Sequence, residues 1–299
     1  MCDVLVALGP STVDGRTLFA KNSDRPPAER QVVEWSPSRV DHGLLRATHI
    51  EVAAFDAPTL GCLLSRPAWC WGAEHGVNTA GVAAGNTTVY TTLDPRHAPL
   101  GLTGMDLVRL ALERATTAAE GVAVITSMIE RHGQGGSGHE PALVPNGRPY
   151  WNAFLIADPT SAFVADTSGS EWAVEAVADV RAISNRTTIS SFDAAHRHPR
   201  QPVDRLVDPR WHASQRALEQ RPVGIPAIEQ HLHSHDSCGE PGWSVCMHVD
   251  GIEATTASMI ASLAPDGRSV VRVCTGNPCE HEYTEFTLAD APRLDLSAA

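Results

Sequence analysis

The chain has 299 residues, 42% of them hydrophobic, and a formal charge of 23 − 35 = −12 with its histidines neutral. That balance argues against nucleic acid and anionic membrane as partners, and no apolar run approaches the ~20 residues of a membrane span. The start lacks the basic segment and apolar run of a signal peptide, so the expectation is a cytoplasmic protein with one domain over residues 1–299.

In chain order, the first element is an apolar run from Cys2 to Leu8 that reads as a buried strand. Met1 precedes a small side chain, so its removal is expected. Cys2 would then carry a thiol and a free α-amine, a nucleophile and a base on one residue. The amine suits the task because its ordinary pKa of roughly 7.7–8.0 lies near neutral pH. Val13-Asp14-Gly15-Arg16 carries the Asp-Gly pair of a tight hairpin turn, and Thr17–Ala20 resumes an extended pattern. Such a hairpin returns the polar run Lys21-Asn22-Ser23-Asp24 beside Cys2. A cation there lowers a thiol pKa, and a carboxylate there can hold an α-ammonium.

Further strand-like runs are Gln31–Trp35, Leu60–Leu64, Gly81–Gly85, Ala153–Ala157, Ala162–Asp166 and Glu171–Val177. Asn78 reads as a turn residue, whereas Asn86 and Asn185 each follow a strand-like run. Two helices stand between these runs. Met105, Val108 and Leu112 share one face of the first, which Thr103 caps; Val122, Ile125 and Ile129 share a face of the second. A glycine-rich loop over Gly133–Gly138 follows. Ser258–Leu263 and Ser269–Val273 flank Ala264-Pro265-Asp266-Gly267, a hairpin signal.

These blocks resemble one family. Met1 to Arg25, Ser65 to Thr88, Gly104 to Gly136, Ala153 to Gly169, Arg181 to Ile189, Val245 to Leu263 and Cys274 to Cys279 are similar, in the same order, to secernins and cysteine dipeptidases. These are N-terminal nucleophile hydrolases, relatives of penicillin V acylase and bile salt hydrolase. The stretch around Phe192–Glu240 matches least. The resemblance implies an α+β fold, a four-layer αββα sandwich. It implies a catalytic set of Cys2, Lys21 and Asp24, with Asn86 and Asn185 lining the nucleophile and helping to form the oxyanion hole. Bile salt hydrolases and some dipeptidases carry arginine where this chain has Lys21, although a lysine there resembles secernins. Their later arginine has no counterpart legible here, and Arg268 and Arg272 are candidates by neighbourhood only. The bland reading of the asparagines is local backbone bonding at strand ends.

The implied activity is that of a cysteine amidohydrolase cleaving a small amide, a dipeptide or N-acyl compound, through a Cys2 thioester. Acyl transfer from the same site stays open, as does a non-catalytic binding or scaffold role and homo-oligomerisation. No cofactor or metal is expected. The rival constellation is His231, His233 and His235 with Asp236 and Cys238, since histidines alternating on a strand share a face and can bind zinc. The odd count of seven cysteines suggests free thiols. Cys62, Cys70 and Cys246 read as packing residues. Cys274 and Cys279 flank a turn and could meet, but lack a CxxC spacing. His75 and His248 read as packed, hydrogen-bonded histidines.

Overall fold

The computed structural model describes residues 1–236 and 239–294. The chain opens with the antiparallel pair β1 (Cys2–Ala7) and β2 (Thr17–Arg25). It continues through β3 (Gln31–Ser36), the short β4 (Leu44–Arg46) and β5 (Glu51–Ala53), β6 (Cys62–Pro67), β7 (His75–Asn78) and β8 (Ala83–Val89). Helices α1 (Gly104–Arg114) and α2 (Ala118–His132) precede β9 (Trp151–Ala157), β10 (Ala162–Ser168), β11 (Glu171–Ala176) and β12 (Val180–Ile183). Four helices follow: α3 (Ser190–His196), α4 (Val203–Leu206), α5 (Asp208–Glu219) and α6 (Ile225–Leu232). The last strands are β13 (His248–Val249), β14 (Glu253–Leu263), β15 (Val270–Thr275) and β16 (Thr284–Thr287).

Two antiparallel sheets carry the molecule. The first has the order β12-β1-β2-β14-β15-β16, with β13 on β14; the second has the order β11-β10-β9-β8-β7-β6-β3. Strand alternation explains the layering. On β1, Val4 and Val6 point into the apolar layer between the sheets, with Phe19 of β2 and Leu63, Val77, Leu155 and Val164 from the second sheet. Leu5 and Ala7 point the other way, onto Leu218 of α5 and Ile228 and Leu232 of α6. The outer face of the second sheet is covered by α1 and α2, which bury Val108, Leu112, Ile125 and Ile129 against Leu64, Ala84 and Ile156. The four layers are helix, sheet, sheet, helix.

Local sequence sets the boundaries. Thr103 and Asp106 form a reciprocal capping box at the start of α1. Asn78 is a turn residue as expected, its Oδ1 accepting from the backbone N–H groups of Ala80 and Val82. That turn holds Gly81 at φ 81°, so the following strand begins at Ala83 and runs through Asn86 to Val89. The first connection also differs from the tight turn expected at Asp14-Gly15. A short 3₁₀ turn over Gly9–Ser11 lengthens it, yet Gly15 still takes a positive φ of 74° and the antiparallel pairing forms. Among the described residues, no helix is long and apolar enough to cross a membrane.

Candidate active site

Cys2 pairs with Ser23 across β1 and β2, and alternation puts Lys21 on the same face two positions along. The thiol is 3% exposed. Its Sγ lies 3.9 Å from Oε2 of Glu74, one residue before β7 on the facing sheet. The Lys21 ammonium donates to that same oxygen at 3.1 Å, to the Glu74 carbonyl at 2.9 Å and to Ser23 Oγ at 2.9 Å. The other Glu74 oxygen is 3.1 Å from the Arg25 guanidinium, which also holds Glu29. Glu74 is therefore an anion between two cations. Burial pushes its carboxyl up, but Lys21 and Arg25 prevail and hold it at about 2.

The thiol does not follow the simple expectation of a lysine-stabilised thiolate. Burial raises its pKa; Lys21 is the largest opposing influence, and Glu74 cancels part of it. In this environment burial and Glu74 together favour the neutral thiol over the thiolate. Against Ser23, the neighbouring His75 ring is driven well below its ordinary pKa by burial and then by Lys21, so it is neutral.

Asp24 lies three positions after Lys21, an odd offset on the strand, so it faces the helical layer instead. One carboxylate oxygen accepts from Thr255 Oγ1 at 2.7 Å, and the other lies 3.9 Å from Arg210 of α5. Arg210 also pairs with Asp3 at 2.5 Å. Burial pushes the Asp24 carboxyl up to about 6, with the N-terminal ammonium and Arg210 limiting the rise. The carboxylate that takes the Met1 ammonium is Glu253 of β14, at 2.5 Å, while Asp24 supplies only its backbone carbonyl at 2.8 Å.

Asn185 comes to Cys2, but with its carbonyl end. Its Oδ1 accepts from the Cys2 backbone nitrogen at 2.9 Å and from Arg210 at 2.8 Å, and two converging donors fix the amide orientation. Its Nδ2 donates to the Thr88 carbonyl at 3.0 Å. The carbonyl end of the side chain thus holds the nitrogen of Cys2, and the Thr88 carbonyl takes one of the two Nδ2 hydrogens. Asn86 is not brought to the thiol. It lies inside β8, not at its end, and alternation turns it toward the helical layer. There its Nδ2 donates to Asn152 Oδ1 at 2.9 Å, beside Gly104 at the start of α1, where a Cβ would meet Asn152 at 1.8 Å.

Met1, Cys2, Asp24, Arg25, Asn185 and Glu253 line one cleft, closed further by His139, Arg148 and Trp243. It encloses about 100 Å³ with Met1 in place. Sequence reasoning missed Glu74, Arg210 and Glu253. Arg268 and Arg272 instead pair with Asp266 and with Glu229 and Glu285 at the surface. Gly85 of β8 admits the lysine: a Cβ there would stand 2.8 Å from Lys21 Cδ.

Two seven-stranded sheets face to face between helical layers, with Cys2 at the start of the first strand, decide the architecture. The fold is that of the N-terminal nucleophile hydrolases. Penicillin V acylase from Agrobacterium tumefaciens superposes with a TM-score of 0.59 at 12% identity, over 99% of this chain and 88% of that one. Conjugated bile acid hydrolase from Clostridium perfringens gives 0.55 at 11% identity, over 99% and 94%. The Caenorhabditis elegans ortholog of N-acylethanolamine-hydrolyzing acid amidase gives 0.51 at 10% identity, over 89% and 95%. No family model matches the chain.

The remaining expectations divide. His231 shares a hydrogen bond with Ser214 at 2.9 Å, and His233 stacks on Tyr283, so neither joins a common site with His235. Cys238 lies outside the described residues. Cys274 and Cys279 are unpaired; the Cys274 thiol faces the carbonyls of Gly276 and His281, whereas Cys279 faces His248 at 3.2 Å.

Proposed function

We propose that this chain is a secernin-like cysteine amidohydrolase that cleaves small peptides with a free α-amine, dipeptides above all. The observation that carries the reading is the seat of Met1. Its α-ammonium is held by the Glu253 carboxylate and the Asp24 carbonyl, one residue from the nucleophile. Loss of Met1 frees this seat for the ammonium of a substrate and enlarges a cleft that is otherwise small for a ligand. The structural neighbours, an acylase, a conjugated bile acid hydrolase and an acid amidase, support hydrolytic chemistry of this kind.

In the matured chain the Cys2 nitrogen becomes an α-amine held by Asn185 Oδ1. The amine accepts the thiol proton as Sγ attacks the scissile carbonyl, and a C–S bond forms. The oxyanion needs an N–H donor. In β8 the N–H of Asn86 points away from β9 to the Glu74 carbonyl, so the N–H of Thr88 points the same way, past the start of β7 and toward the cleft. Thr88 is our candidate donor. The ammonium then protonates the leaving amine as the C–N bond breaks, and water cleaves the thioester.

The test is a panel of dipeptides and their N-acetylated forms, read by mass spectrometry alongside the intact mass of the protein. The expected result is a chain starting at Cys2 that cleaves the free-amine members only, with Glu253→Gln raising KM for them. Preferred cleavage of the acetylated forms would overturn the role of the Met1 seat. Full turnover by Cys2→Ala, or by a chain retaining Met1, would overturn the amidohydrolase itself.

A further inference from the structure

Away from the cleft, four side chains from three separate segments converge. They are His235 after α6, Cys246 just before β13, His248 at its start, and Cys279 after β15. Their ligating atoms all lie within 4.8 Å of one another. His248 Nε2 is 3.5 Å from Cys246 Sγ and 3.2 Å from Cys279 Sγ, and the His235 ring stands edge-on to that of His248 at 4.9 Å between centroids. We infer that these residues form a Cys₂His₂ site for a structural zinc ion.

The geometry is the first argument. Zinc takes sulfur at about 2.3 Å and imidazole nitrogen at about 2.0–2.1 Å in a tetrahedron, whose N–S edges are then about 3.5 Å long. The two N–S separations, 3.5 and 3.2 Å, lie at that value and about 0.3 Å below it, and the whole set is within 4.8 Å, so the four atoms already surround a space of the right size for the ion. Donor chemistry is the second. Two thiolates neutralise the dication, and two neutral imidazoles complete the four ligands of a closed structural site. A shell around the ligands is the third. His248 reaches the set through Nε2, while its Nδ1 lies 3.4 Å from the Asn277 amide, which can turn its oxygen to accept the Nδ1–H and fix the ligating tautomer. Cys246 is held on the backbone by its N–H to the Ser234 carbonyl at 3.0 Å and by Ser244 Oγ on its own carbonyl at 2.6 Å.

The ion would tie the α6 end, the loop before β13 and the loop after β15 into one corner. That corner supports the cleft. Trp243, a cleft wall, lies three residues before Cys246, and Met247 exchanges hydrogen bonds with Thr255, which holds Asp24. The site is structural, and its test stands apart from the hydrolase reading because it measures metal.

The experiment uses the full chain without a polyhistidine tag, purified under reducing conditions and assayed for metal by mass spectrometry. The expected content is about one zinc per chain, falling at least about tenfold in Cys246→Ser and in His235→Ala, and unchanged in His231→Ala and His233→Ala. His235 is exposed, so its variant keeps the test alive should Cys246→Ser fail to fold. Replacement by Co²⁺ should give thiolate charge-transfer and tetrahedral d–d bands, and Asn277→Ala should weaken affinity by about 10- to 100-fold. Absence of zinc together with failure to bind Co²⁺, zinc retained in both ligand variants, or a Cys246–Cys279 disulfide in the reduced preparation would each overturn the site.

Discussion

The two faces of the first hairpin place opposite charges on opposite partners. On the face toward the second sheet, the hairpin supplies cations, Lys21 and Arg25, and receives the carboxylates Glu74 and Glu29. On the face toward the helices it supplies carboxylates, Asp3 and Asp24, and receives one guanidinium from Arg210. The inner set balances two against two. The outer set places Asp3 and Asp24 against Arg210 and the N-terminal ammonium, and one oxygen each of Asp3, Asp24 and, on the inner face, Glu74 has no hydrogen-bond partner. The pKa shifts record the difference: Glu74 sits at about 2 and Asp24 at about 6. On the inner face two cations outweigh burial and keep a charge; on the outer face burial prevails over the ammonium and Arg210 and keeps a proton within reach of neutral pH.

The comparison breaks most easily at Glu74. Glu74→Gln should leave Lys21 and Arg25 buried beside a neutral amide and cost about 3–5 kcal/mol in urea unfolding. Adding Lys21→Met should restore part of that loss. A cost below about 1 kcal/mol would mean the inner balance is not what holds these charges.

Opposite shifts also predict opposite pH dependences. Glu74, depressed in the fold, contributes stability that is present above its unfolded value of 4.5 and lost as pH falls toward about 2. Asp24, raised in the fold, contributes stability that is present below its unfolded value of 3.8 and lost as pH climbs through about 6. Asp24→Asn should therefore gain on the parent between pH 4 and 6, by up to about 3 kcal/mol before its lost hydrogen bond is counted. Equal pH dependences for parent and variant in urea unfolding across that window would show that the Asp24 carboxyl is not raised in the fold.

Asn185 joins the two faces, because its Oδ1 serves both Cys2 and Arg210. Asn185→Leu should lower kcat about 10²-fold by releasing the amine, while alkylation of the Cys2 thiol by a small reagent changes far less. A parallel fall in both would assign Asn185 to the thiol. The smallest effect belongs to Ser23→Ala, which removes the hydroxyl between Lys21 and His75 and should cost about 1 kcal/mol of stability.

Much of this was legible in the sequence, and the misses have definite causes. Cys2, the pairing of the first two strands and the capping by Thr103 follow from local pattern. Alternation was the signal that could have separated Lys21 from Asp24 and turned Asn86 away from the thiol, had the strand through Asn86 been recognised as continuing to Val89. Glu74 stands between Ala73 and His75 with nothing to mark it as buried; only the facing sheet makes it the counter-ion of two cations. Arg210, Glu253 and the His235, Cys246, His248 and Cys279 cluster are assembled from distant segments. No short spacing announces such contacts.

Gly85 carries a consequence for how this site can vary. Its missing side chain is the slot through which Lys21 passes, so the identity of the inner cation is written partly on the other sheet. A lysine at 21 and a glycine at 85 are sterically coupled. Gly85→Ala alone would displace the ammonium from Glu74, and a bulkier cation at 21 would need its own accommodation across the interface. Substitutions at these two positions should be tolerated together and penalised apart, which makes an exchange of lysine for arginine at position 21 a two-step path through a poorer intermediate.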